Sequence, residues 1–78
     1  MTDFNTPKEW LQNVYETRKM KNSLYSMRAF ARDIQISQTL ISFIWNDKRP
    51  LTLKQAKKVQ ENLMLEGNLE ELFVKKLH

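Results

Sequence analysis

Residues 26–46 read SMRAFARDIQISQTLISFIWN, and the spacing of apolar side chains in this stretch decides the fold. Ser26 can cap a helix by accepting a hydrogen bond from an otherwise unpaired first-turn amide. Behind it Met27, Phe30, Ala31 and Ile34 recur at intervals of three and four, the stripe of an amphipathic helix, while Arg28, Arg32 and Asp33 stay outside. Gln35-Ile36-Ser37 interrupts that period. Ser37 can then cap a second rod in which Leu40, Ile41 and Ile44 face inward and Gln38, Thr39, Ser42 and Asn46 share the opposite side. The spacing predicts a helix from about Ser37 to Asn46 that buries one edge and offers the other.

The flanks extend the helical pattern. Upstream, Thr6-Pro7-Lys8-Glu9 combines a capping hydroxyl, a proline at the first helical position and a glutamate three residues after the cap. Trp10, Leu11, Val14 and Tyr15 follow as its apolar stripe, and the polar run from Arg18 to Ser23 carries the chain out of it. Downstream of Pro50, Thr52-Leu53-Lys54-Gln55 is a capping box opening a helix with the stripe Leu53, Ala56, Val59 and Leu63, which Gly67 is expected to end. Asn68 with Glu71 three residues later predicts a last helix presenting Leu69, Leu72, Phe73 and Leu77. No alternating strand pattern, repeat or low-complexity linker competes. The expectation is an all-α chain, a compact five-helix bundle forming a single domain over residues 1–78.

Composition narrows the chemistry. A chain of 78 residues holds one modest core. With no cysteine, neither disulfides nor thiolate metal sites can staple it. One glycine, Gly67, rules out the phosphate-cradling loops that need several, and one histidine, the terminal His78, leaves little for acid–base or zinc chemistry. Neither an enzyme nor a cofactor, metal or small-molecule substrate is expected. Met1 to Trp10 lacks a basic flank followed by an apolar stretch, and Leu40 to Trp45 is far too short to span a bilayer, so the expected setting is the cytoplasm, next to the nucleoid, without membrane contact. The net charge of +4 conceals an asymmetry: Arg18 to Lys58 holds ten basic residues against Asp33 and Asp47 alone, a local charge of +8 flanked by two segments of −2. A polyanion is the natural partner of such a segment.

Two short helices joined by a three-residue break, about residues 26–46, meet the requirement of a helix-turn-helix, in which the first braces the second at a steep angle. Phe30, Ile34, Ile36, Ile41 and Ile44 supply the buried contacts, and Ala31 sits where a larger side chain would push the helices apart. The stretch from Tyr25 to Leu65 resembles the lambda-repressor-like (Xre/Cro-type) helix-turn-helix class. More narrowly, YSMRAFARDIQIS, NDKRPLT and ENLMLEGNLEELF are similar to the N-terminal domain of a little-characterised family of bacterial helix-turn-helix proteins, most of which carry a second, C-terminal domain. The resemblance implies a sequence-specific double-stranded DNA-binding domain acting in transcription regulation. Two positions depart from the pattern: Gln35 stands where glycine is typical of the turn, and Met27 where other members often place a polar residue that touches phosphate.

The major groove admits one helix and shows each base pair as a distinct set of donors, acceptors and methyls. Gln38, Thr39 and Ser42 are the expected base-reading residues, Gln38 because its amide matches the donor and acceptor of adenine. Ser37, Asn46, Lys48, Arg49 and Arg28 are the expected phosphate contacts, whereas Lys54, Lys57 and Lys58 read as a solvated face. Leu69, Leu72, Phe73 and Leu77 either form a homodimer surface or close the chain's own core. A competing reading is a protein-interaction adaptor that keeps the fold without DNA contacts, drawing on Phe43 and Trp45, which exceed the needs of the inward stripe.

Overall fold

The computed structural model describes residues 6–67 together with Leu69 and Phe73. Within them the chain is all-α: α1 Pro7–Lys21, α2 Met27–Ile34, α3 Gln38–Trp45 and α4 Leu53–Leu63. Each of these four helices begins where a hydroxyl captures a first-turn amide. Thr6 Oγ1 accepts from Glu9 N–H, Ser26 Oγ from Ala29, Ser37 Oγ from Leu40 and Thr52 Oγ1 from Gln55, each at 3.1 Å. At Thr52 the box closes, because Gln55 Oε1 accepts the Thr52 amide at 3.0 Å. A cap of this kind contributes about 1 kcal/mol, enough to place the start of a short helix.

Helix ends depart from expectation. Gln35, Asp47 and Met64 all adopt the left-handed region, with φ of 59°, 61° and 56°. After each, the next amide reaches back over the last turn: Ile36 to the Ala31 carbonyl at 3.2 Å, Lys48 to Phe43 at 2.8 Å and Leu65 to Gln60 at 2.9 Å. These are Schellman closures built without glycine. Gln35 therefore makes the turn that glycine was expected to make. Gly67, in contrast, does not end α4; the helix stops at Leu63 because Met64 turns left-handed and the Leu65 amide closes the last carbonyls first. Gly67 lies beyond, its carbonyl accepting Gln60 Nε2 at 3.1 Å. Helix α1 runs through the polar residues to Lys21, placing Arg18, Lys19 and Lys21 in a last turn whose exposed carbonyls favour cations.

The core gathers Trp10 and Leu11 from α1, Phe30, Ala31 and Ile34 from α2, Ile36 from the turn, Ile41 and Ile44 from α3, Leu51 from the loop, and Ala56 and Val59 from α4. Helix α2 packs against both α3 and α4, and α1 reaches α3, so α3 is braced from two sides. Asn62 on α4 adds a polar tie, donating from Nδ2 to the Ile34 carbonyl at 3.1 Å and satisfying an end of α2 that has no helical partner. A second tie joins α1 to α2. Tyr25 Oη donates to Asp33 Oδ2 at 2.8 Å and accepts from Arg18 Nε at 3.1 Å, while Arg18 also approaches Asp33 at 3.4 Å.

The last helix expected from Asn68 lies outside the described residues except at Leu69 and Phe73. Leu69 is buried in the core and Phe73 is half-buried against it. Those two serve the chain's own interior; Leu72 and Leu77 lie outside the described residues.

Candidate nucleic-acid interface

Helix α3 and its two caps position the side chains in question. Its buried line is Ile41 and Ile44, with Leu40 half-buried beside them. At 100° per residue this fixes the outward direction between Thr39 and Ser42, with Asn46 beyond them. Gln38, Thr39, Ser42 and Asn46 are accordingly all exposed, as are Ser37, Lys48, Arg49 and Arg28. All eight residues expected to contact a ligand thus face away from the core.

Their hydrogen-bonding capacity is partly committed. Ser37 Oγ accepts the Leu40 amide, which leaves its O–H to donate, and the Ile41 amide returns to the Ser37 carbonyl at 3.0 Å. Asn46 folds back over α3: Nδ2 donates to the Ser42 carbonyl at 2.9 Å and approaches Ser42 Oγ at 3.5 Å. One of its two amide protons remains for an outside acceptor. No side-chain bond of Gln38 or Thr39 is present among the described residues.

Charge is arranged so that cations border this face. The two acids of the basic segment are both occupied by cations: Asp47 pairs with Lys8 at 2.8 Å, and Asp33 with Arg18 and Arg32, each at 3.4 Å. The Tyr25 hydroxyl, then the guanidinium groups, hold the Asp33 carboxyl below its ordinary 3.8, so it stays ionised. Lys48, Arg49 and Arg28 pair with no acid among the described residues. Lys48 and Arg49 follow α3 after Asn46 and Asp47, held there by their own amides, which both donate to the Phe43 carbonyl, at 2.8 and 3.3 Å.

Three features escape a sequence reading. Lys8 and Asn62 act on this region from 39 and 28 positions away, and the only sequence signal for the first is that Asp47 is one of just two acids in a basic segment. The third is a trough of about 280 Å³ along one flank of α3, lined by Met27, Gln38, Ile41, Ser42, Trp45 and Asn46. Trp45 is half-buried and packs on the core from this flank, whereas Phe43, on the opposite flank, is 37% exposed. Arg28 follows Met27 in the first turn of α2 but does not line the trough.

No helix among the described residues is long and apolar enough to cross a membrane, and no group of three acidic, histidine or cysteine side chains there could hold a metal ion. Comparison with protein-family models, with curated proteins and with solved structures gave no match.

Proposed function

We propose that this chain is a lambda-repressor-like helix-turn-helix domain that binds double-stranded DNA, with α2 bracing α3 and α3 entering the major groove as a transcription regulator would. The observation that carries this reading is the exposed polar edge Gln38, Thr39 and Ser42 on a helix braced from behind, with Lys48 and Arg49 at its far end. A helix fits the major groove only if its outward side is uncovered and hydrogen-bonding, and only if nearby cations offset the phosphates. Ser37, Asn46, Lys48, Arg49 and Arg28 take the phosphate role, and Gln38, Thr39 and Ser42 the base-reading role. Binding as a homodimer on paired half-sites accompanies the reading, since one module alone buries little surface.

The test is fluorescence anisotropy of random and selected duplexes across a salt series. Phosphate neutralisation requires that log affinity fall with log salt at about 0.9 per phosphate engaged. Absence of binding at low salt, or binding indifferent to salt, rejects the proposal and favours the adaptor, for which the exposed Phe43 is the remaining structural support.

A further inference from the structure

The α3 face that the proposal turns towards DNA carries no charge at all. From Ile34 to Asn46 the chain has neither acid nor base, and the cations begin only at Lys48. This absence discriminates between base pairs. Guanine is most commonly read by arginine or lysine reaching its two acceptors, and cytosine by a carboxylate accepting its amine. Neither chemistry exists on α3. What is present matches the other pair: Gln38 offers the donor and acceptor that adenine requires, and apolar surface suits the methyl of thymine.

The trough supplies that apolar surface. Gln38, Ile41 and Trp45 succeed one another at the three- and four-residue spacing of one helix flank, Ser42 lies beside them one turn on from Gln38, and Met27 closes the trough from α2. Met27 and Trp45 are each half-buried, so each is held by the core yet keeps apolar surface outward beside Gln38. Thymine displays its C5 methyl in the major groove, the groove that α3 is proposed to enter.

Resting on the DNA-binding proposal, we infer that α3 selects A·T base pairs, with Gln38 reading adenine and the trough between Met27 and Trp45 accepting the thymine methyl. Selection from random duplexes followed by sequencing should enrich A·T pairs at the core of the bound site. In the best duplex, replacing thymines one at a time by deoxyuridine should weaken binding about fourfold at one position per half-site, the value of burying one methyl group. Met27→Ala should bind the deoxyuridine and thymine duplexes alike at that position while keeping the helical circular dichroism and the salt dependence of the parent. Salt-sensitive binding with G·C enrichment, with no enrichment, or with no thymine methyl effect overturns this inference and leaves the DNA-binding proposal standing. Loss of all salt-sensitive binding in the parent chain takes both down.

Discussion

Lys8 Nζ lies 2.8 Å from Asp47 Oδ1, an ion pair that fastens the first turn of α1 to the left-handed residue closing α3. Asp47 is largely exposed, so the pair adds less than about 1 kcal/mol to stability. Under the proposed DNA binding its larger consequence is electrostatic, because Asp47 immediately precedes Lys48 and Arg49 and, left bare, would repel the phosphates those cations are proposed to contact. Lys8→Ala should therefore leave the melting temperature nearly unchanged and weaken every duplex severalfold. Asp47→Asn should do the reverse and tighten binding. Equal affinity for parent and both variants at low salt would remove the pair from the interface.

The left-handed turn at Gln35 carries a second prediction. An L residue in that region costs roughly 1–2 kcal/mol, and glycine there escapes the cost but loses about 0.5–1 kcal/mol through its freer unfolded chain. Gln35 makes no side-chain bond among the described residues, so the difference should appear cleanly. Gln35→Gly should gain about 0.5–1 kcal/mol in urea unfolding, and Met64→Gly, exposed at the equivalent position of α4, a similar amount. Destabilisation by both would mean that these turns are not left-handed in solution.

The pattern of what was legible follows from the range of each interaction. Helix starts are chemical events within four residues, which is why Thr6, Ser26, Ser37 and Thr52 all cap where their hydroxyls suggested. Helix ends on Gln35, Asp47 and Met64 carry no such local mark, because the left-handed turn usually shows itself as glycine; Gly67 drew the end of α4 four residues too far. The outward setting of Gln38, Thr39 and Ser42 was readable from periodicity, since Ile41 and Ile44 fix the opposite side. The trough was not, because Met27 comes from another helix, and the ties Lys8–Asp47 and Asn62–Ile34 depend on packing that no short window of sequence contains.

Tyr25 and Asp33 make stability depend on pH at both ends. The Tyr25 hydroxyl, ahead of Arg32 and Arg18, holds the Asp33 carboxyl below its ordinary 3.8, so the folded chain takes up that proton less readily than the unfolded one. The stabilisation from Asp33 is whole above 3.8 and is lost as pH falls from there through the lower folded value. Burial, followed by the bond to Asp33, raises the Tyr25 hydroxyl above 10.0, so its contribution is whole below that value and is lost as pH rises beyond it. Tyr25→Phe should cost about 1 kcal/mol near neutrality and show a shallower loss in acid, both read from urea midpoints. An acid slope identical to that of the parent would show that the hydroxyl does not set the ionisation of Asp33.

The separation of roles along α3 gives the last prediction. If the proposed DNA binding is right, Lys48 and Arg49 would meet the backbone, which is the same for every sequence, so Lys48→Ala or Arg49→Ala should weaken all duplexes alike and flatten the salt slope by about 0.9 for each contact removed. On the same proposal Gln38 would meet a base edge, where a good bidentate contact is worth about 1–3 kcal/mol of discrimination. Gln38→Ala should bring the selected duplex down towards the affinity of random DNA while leaving the salt slope as it was. Because Gln38 is exposed and caps nothing, this change should not disturb folding, which circular dichroism can verify. Should the variant keep the parent's sequence preference, Gln38 would not be the residue through which α3 reads the groove.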